Sequence, residues 1–251
     1  MTSLLRAMAR RLSLATQSIP ALHRWLKSVF LSLPPKVRGR QMIWDALCEL
    51  AKRHPHLTIL QIGANDGDFN DPVAQLIRRH GWTGLLVEPV PFIFERLQTN
   101  YVGQHGIALA NVAVSDHDGT QEFYYLDVRE GVLPVWCIGV GSFLKDDVVR
   151  SCPSAVHVSD YLRTINVPCR TVATLLAEYQ ITTLDVVVID AQGYDARIVV
   201  QLPLDQIRPS IVIYEHHLLE ERKRQHCDEF LRSHGYVLES DKWDTLAILK
   251  T

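Results

Sequence analysis

A chain of 251 residues, 47% apolar and 22% charged, can bury a core without staples, and its composition excludes collagen-like, low-complexity and wholly disordered classes. No run of 18 apolar residues is present to serve as a spanning helix. The net charge of −2 conceals an asymmetry: residues 1–44 hold eight Lys/Arg and no acid, while residues 45–251 hold 18 basic and 28 acidic residues, which argues against a nucleic-acid enzyme working through a broad basic face.

The basic arm reads as a helical N-terminal extension, residues 1–42. Pro20 opens its second helix, Leu22, Trp25, Leu26, Val29, Phe30 and Leu33 recur at helical spacing, and Pro34-Pro35 ends it. Such a stripe packs on a main domain, meets a membrane surface or binds a partner. Residues 1–18, rich in Arg and Ser, also resemble an organellar transit segment. The five cysteines are odd in number and form no C-x-x-C pair. This favours a reducing, cytoplasmic compartment over a disulfide framework or a zinc site, with peripheral-membrane or organellar placement as the alternative. The oligomeric state is left open.

Residues 43–251 read as one domain. A helix over 41–53 leads to the strand Leu57–Ile62, which stops at Gly63. Helix 71–80, strand Gly84–Glu88, helix 91–100 and strand Ile107–Val114 follow, then an extended segment Gln121–Leu126 and a helix Thr171–Tyr179. Leu184–Asp190 is a near-continuous apolar run, as a central parallel strand requires. Helix 193–201, strand Ser210–Glu215, helix 219–234 and a hairpin-like pair, Tyr236–Glu239 and Thr245–Leu249, complete the chain. Strands alternating with helices predict an α/β fold with a mostly parallel sheet. Residues 127–165, with Gly131, Pro134, Gly139, Gly141 and Pro153, read as an insertion or lid.

In such a sheet, ligands bind beyond the carboxyl ends of the strands. There stand Gly63-Ala64-Asn65-Asp66-Gly67-Asp68, Glu88-Pro89, Asn111-Val-Ala113, Asp190-Ala-Gln-Gly193 and Glu215-His216-His217. Glycines let a backbone approach a ligand closely, and Glu88, 21 residues after Gly67, is placed to accept both hydroxyls of a ribose. The turn at Asn111 and Ala113 suits an adenine edge, and Asp190 can meet an ammonium or a sulfonium. The third glycine of a dinucleotide fingerprint is missing, and Asp66 and Asp68 would repel a pyrophosphate. The pattern therefore favours S-adenosylmethionine over a nicotinamide cofactor.

Ile62-Gly-Ala-Asn-Asp-Gly67, Asp71-Pro72, Gly84-Leu-Leu-Val-Glu-Pro89, Asn111-Val-Ala113, Gly141-Ser-Phe143, Val167–Thr171, Leu184–Asp195, Glu215-His216 and Asp244–Ala247 resemble the FkbM family of S-adenosylmethionine-dependent methyltransferases, over about residues 43–249. The resemblance implies a class I methyltransferase (Rossmann-like) three-layer fold, its seven-stranded sheet having the last strand antiparallel. It also implies O-methylation of a hydroxyl on a small molecule, sugar, polyketide or peptide metabolite. Carried over residue by residue, it implies cofactor contacts from Gly63, Ala64, Asn65, Asp66, Gly67, Glu88, Asn111, Ala113 and Asp190. Val188, Gln192 and Asp195 stand where the family often has Lys, Glu and Glu. Gln192 keeps a second reading open, a non-catalytic binding module on the same fold.

Methylating an alcohol requires its proton to leave. His216, at a strand end and able to titrate near neutral pH, is the first candidate base, with Asp190 and His157 in reserve. The bland alternative for His216 is a ring bonded to nearby backbone. His217 ranks lower because a continuing strand points it the other way. Trp136, Ser142, Phe143 and His157 are candidate acceptor contacts, and Arg170 a candidate for an anionic group. No ligand spacing indicates a metal.

Overall fold

A computed structural model describes residues 41–127, 137, 139–151 and 157–250 of the chain. The readings that fall on residues 1–40, on Gly131, Pro134 and Trp136, and on Cys152 and Pro153 lie outside the described residues.

The core is a seven-stranded sheet of order β10-β11-β9-β8-β1-β2-β3. Its strands are β1 (Thr58–Ile62), β2 (Thr83–Val87), β3 (Ile107–Ala110), β8 (Val186–Ile189), β9 (Ile211–Glu215), β10 (Tyr236–Ser240) and β11 (Asp244–Leu249). The pairs among β3, β2, β1, β8 and β9 are parallel, while β11 runs antiparallel to both β9 and β10. The last strand is antiparallel, as the resemblance implies, and it is inserted between two strands rather than added at the edge.

Side-chain alternation along these strands builds the layers. Leu60, Ile62, Val187, Ile189, Val212 and Tyr214 face α6 (Val172–Glu178), α7 (Asp195–Val199) and α8 (Glu221–Ser233) through Leu175, Ile198 and Leu231. Ile59, Leu86, Val186, Val188, Ile211 and Ile213 face the other way. They pack on α1 (Gln41–Arg53), α2 (Ala74–His80) and α3 (Pro91–Asn100), with Leu47, Ile77, Trp82 and Leu97 buried there. β8 is buried at all four positions, which explains its unbroken apolar sequence. Helix starts follow local chemistry: the Thr171 hydroxyl accepts the Thr174 N–H ahead of α6, and Pro91 opens α3 where no N–H is needed.

The expected third strand, Ile107–Val114, is two strands. β3 ends at Ala110, and β4 (Ala113–Val114) belongs to a second sheet of order β4-β7-β5-β6. Its other members are β5 (Gly119–Leu126), β6 (Gly141–Ser142) and β7 (Leu162–Arg170). β7 pairs with β5 along its length, from Leu162↔Leu126 to Cys169↔Gly119. Sequence pattern does not reveal β7 because only Val167 and Cys169 of its nine residues are buried and Pro168 interrupts it. Phe123, Tyr125, Val167 and Cys169 close this sheet onto Val90 and Ile93 at the start of α3. Within the expected insertion stand β6, α4 (Lys145–Arg150) and α5 (Val158–Tyr161). Cys48, Cys137, Cys169 and Cys227 are free thiols.

Candidate active site

The carboxyl ends of β1, β2, β3, β8 and β9 share one edge of the large sheet. Because β11 is antiparallel, its first residue also reaches that edge, where Asp244 pairs with Glu215.

On the β1–β2 side most of the bonds run to the backbone. The N–H groups of Gly63 and Ala64 both donate to the Val87 carbonyl, at 3.0 and 2.9 Å. Gly63 is left-handed, φ +77°, and a Cβ there would run into the Asp190 carbonyl, so glycine lets β1 and β8 stay adjacent to their ends. Asn65 is also left-handed, φ 51°. Its N–H donates to Glu88 Oε2 at 3.0 Å, while the Val90 N–H donates to Glu88 Oε1 at 2.9 Å. Glu88 is buried, and burial pushes its carboxyl up to about 8 against the pull of those two N–H donors, with the charges of Asp190 and Asp66 pushing the same way.

Asp66 turns into its own loop: Oδ1 accepts the N–H groups of Asp68 and Phe69, at 3.1 and 2.8 Å. Asp68 pairs with Arg78 at 2.9 Å. The Asn111 amide donates to the carbonyls of Glu88 and Pro89, at 2.8 and 3.1 Å, so this residue ties the ends of β2 and β3 together. Ala113 is buried in β4.

On the β8–β9 side, side chains meet side chains. Gln192, left-handed at φ 47°, donates from Nε2 to Asp190 Oδ1 at 2.7 Å and to Glu215 Oε2 at 3.0 Å. Its Oε1 accepts the Ser151 hydroxyl at 3.1 Å, which reaches across from the end of α4. Two carboxylates of neighbouring strands thus share one neutral donor. Glu215 Oε1 lies 3.2 Å from His217 Nδ1, and the His217 ring packs edge-on to Trp243 at 4.6 Å. Asp195 is buried, its oxygens accepting the N–H groups of Ala191 and Gly193 at 3.0 Å each; burial and the charge of Asp190 raise its carboxyl.

His216 goes elsewhere. Its Nδ1 lies 2.9 Å from the Thr245 hydroxyl, on the Tyr214 side of β9, and burial depresses the imidazole. β9 ends at Glu215, so the strand does not continue through the histidines: His217 stands in the turn that follows, near Glu215 and Trp243, while His216 lies against Thr245.

The other expected acceptor contacts are spread out. Ser142 is buried, with its hydroxyl accepting the Leu144 N–H at 3.2 Å. Phe143 is held between Phe123 and Tyr194, at centroid distances of 5.1 and 4.8 Å. His157 is exposed at the start of α5, and Arg170 pairs with Glu178 at 2.8 Å. In sequence, Glu215-His216-His217 is set at the ligand edge with His217 ranked below His216, and Trp243, which stands beside that edge, is not singled out. The Glu-His-His run was visible, but the strand pairing that sets Asp244 opposite Glu215 was not.

Among the described residues no three His, Cys, Asp or Glu side chains are placed to hold a metal ion, and no helix is long and apolar enough to cross a membrane.

The methyltransferase FkbM domain matches residues 61–238. No curated protein matches the chain. Among solved structures, a putative caffeoyl-CoA O-methyltransferase from Staphylococcus aureus is 11% identical, with 99% of each chain covered and a TM-score of 0.45. A precorrin-6y C5,15-methyltransferase from Geobacter metallireducens is 12% identical, with 87% of this chain and 91% of that one covered and a TM-score of 0.43. The ribosomal protein L11 methylase from Lactobacillus delbrueckii subsp. bulgaricus is 13% identical, with coverage of 84% and 78% and a TM-score of 0.42.

Proposed function

Since the chain belongs to the FkbM methyltransferase family and has the class I methyltransferase fold, we propose that it transfers a methyl group from S-adenosylmethionine to a hydroxyl of a small molecule, a sugar, or a polyketide or peptide metabolite. One observation carries the cofactor assignment. Glu88 is a buried carboxyl at the end of β2 whose two oxygens each accept one backbone N–H, which leaves a lone-pair site on each for the hydroxyls of a ribose. Those two donors only partly offset the burial of this carboxyl, and a vicinal diol would supply two more.

The remaining residues fit the same ligand. The Gly63 turn brings backbone, not side chain, to the groove between β1 and β8. Asn111 shapes the adenine-side turn through the carbonyls it binds. Asp190 keeps a carboxylate at the β8 end, oriented by Gln192. Asp66 and Asp68 serve the loop itself, which leaves Asp190 as the acid for the ammonium or sulfonium.

When bound, S-adenosylmethionine supplies an electrophilic methyl carbon on a positively charged sulfur. The chain's residues do the rest: they orient the two reactants, which removes much of the entropic barrier, and they take up the acceptor's proton.

Gln192 favours a second reading, a module that binds the cofactor without turnover, because a neutral amide stands where the family often carries a carboxylate. Calorimetric titration with S-adenosylmethionine and S-adenosylhomocysteine, with Glu88→Ala as control, tests the cofactor. Binding to the folded wild type that is lost in the variant is expected; a folded wild type that binds neither ends the reading. Transfer of labelled methyl to an acceptor separates the enzyme from the silent module.

A further inference from the structure

We propose that Gln61, Asp71 and Tyr101 enclose a buried site for ordered water below the glycine loop, and that Tyr101, through that water and through its ring against Gly67, is a positioning residue for the cofactor. The water site stands by itself; the positioning role rests on the methyltransferase reading above.

Two atoms carry the site. Gln61 is 3% exposed and Tyr101 is 5% exposed. Among the described residues, neither Gln61 Oε1 nor the Tyr101 hydroxyl has a hydrogen-bond partner. A buried polar atom without a partner is costly, and in folded proteins such atoms meet ordered water. Asp71 is the common neighbour of both. Gln61 Nε2 donates to Asp71 Oδ2 at 2.9 Å, which sets the other end of the same amide beside that carboxylate. Burial pushes the Tyr101 hydroxyl up, and Asp71 is the charge that adds most to that push. Gln61 Oε1 only accepts, whereas the hydroxyl can donate. One water accepting from Tyr101 and donating to Gln61 satisfies both atoms and keeps a second hydrogen to turn towards Asp71. An anion would be repelled by Asp71, and an apolar group would leave both atoms unpaired.

The surroundings tie this site to the loop that carries Gly67. Gln61 lies in β1, two residues ahead of Gly63. Asp71 Oδ1 accepts the N–H groups of Val73 and Ala74, at 2.7 and 2.8 Å, and so fixes the start of α2. Tyr101 follows α3, and the Asn100 amide beside it donates to the Asp66 carbonyl at 2.7 Å. A Cβ on Gly67 would strike the Tyr101 ring and the Leu97 side chain, so these two form the floor under that glycine. Arg78 stands over the same ring, 5.4 Å from its centroid, and donates to the Gly67 carbonyl at 3.0 Å. The water thus joins β1, the start of α2 and the end of α3 at the point where the loop rests.

The test is Tyr101→Phe in the full chain, which keeps the ring and removes the hydroxyl. A hydroxyl bonded to water loses that bond in the variant, and the urea midpoint falls; a hydroxyl unpaired in a dry core is costly, and its removal raises the midpoint. A fall is expected, with S-adenosylhomocysteine affinity weakened about fivefold by calorimetry. Tyr236→Phe is the control, because the Tyr236 hydroxyl is bonded at 2.7 Å to the Pro209 carbonyl, away from the loop. It is expected to lower the midpoint and leave the affinity within about twofold. A high-resolution crystal structure of the wild type is expected to show water within hydrogen-bond distance of both Gln61 Oε1 and Tyr101 Oη. A direct bond between the two side chains, an empty space between them, or a midpoint that rises in Tyr101→Phe overturns the water site. Unchanged affinity in the folded Tyr101→Phe overturns the positioning role and spares the methyltransferase reading. A folded wild type that does not bind S-adenosylhomocysteine overturns that reading and the positioning role with it, while the crystal structure still decides the water.

Discussion

The two halves of the active edge are built by different physics. On the β1–β2 side, Glu88, Asp66 and Asn111 each bond to main-chain atoms. On the β8–β9 side, Asp190, Gln192, Glu215 and His217 meet one another through side chains. A carboxylate gripped by main-chain N–H groups is as rigid as the strands that carry them. A chain of side chains is held by mutual charge and hydrogen bonding, and each member depends on the protonation of the next.

The harshest way to break the first half is Gly63→Ala. The Cβ would collide with the Asp190 carbonyl on a residue at φ +77°, where side chains are strained. A loss of about 4 kcal/mol in urea unfolding is expected, because backbone, not a flexible side chain, has to yield. Gly81→Ala is the comparison, also at positive φ but with open space around its Cβ, and is expected to cost about 1 kcal/mol. Similar losses for the two would mean that β1 and β8 separate easily.

Glu88→Ala is next. It strips the acceptors from the Asn65 and Val90 N–H groups and is expected to cost about 2–4 kcal/mol of stability. S-adenosylhomocysteine affinity should fall by about 100-fold, read by calorimetry. The pH dependence has a definite sign. Burial raises Glu88 from an ordinary 4.5 to about 8, so between these values the folded chain holds a proton that the unfolded chain has lost. Its contribution to stability is therefore full below pH 4.5 and falls as pH rises towards 8. Ribose hydroxyls donate to the ionised form, so cofactor binding expels the proton and affinity rises over the same window. Titrations in buffers of different ionisation enthalpy measure that release; affinity that falls with pH would remove Glu88 from the ribose.

The second half is sharpened by Gln192→Glu. It replaces a donor shared by two carboxylates with a third carboxylate, and Asp190 and Glu215 lose their bridge. A loss of about 2 kcal/mol at pH 8, largely recovered at pH 5, is expected in thermal unfolding. A loss independent of pH would point to packing instead of charge.

The same division explains what sequence discloses. Gly63, Gly67 and Glu88 are legible because a turn, a strand end and a spacing of 21 residues are local patterns. The central strand Val186–Ile189 is legible because burial on both faces demands an unbroken apolar run. β7 is not, since within the small sheet only its Val167 and Cys169 are buried and it carries Arg163, Thr164, Asn166 and Pro168. Nor is the Gln192 bridge: its partners Asp190 and Glu215 are brought together only by the pairing of β8 with β9. The placement of His216 and His217 is not legible either, because β9 stops at Glu215 and the turn after it, not strand periodicity, sets where the two rings go.

The gentlest test concerns the two acids of the glycine loop, of which the sequence reading assigns Asp66 and not Asp68 to the cofactor. Asp66 is buried and holds two backbone N–H groups of its loop, so Asp66→Ala should both destabilise the chain, by about 1–3 kcal/mol, and weaken S-adenosylhomocysteine by loosening the turn. Asp68 lies at the rim with its carboxylate paired to Arg78, and their side chains are 33% and 32% exposed. A half-solvated pair of this kind contributes little and is screened by salt. Asp68→Ala should therefore cost about 0.5 kcal/mol at low salt and less at high salt, with the ligand affinity within about twofold of wild type. A large, salt-sensitive loss of affinity in Asp68→Ala would show that Arg78 releases this carboxylate when the cofactor binds, and the β1–β2 half would then be less rigid than its backbone bonds imply.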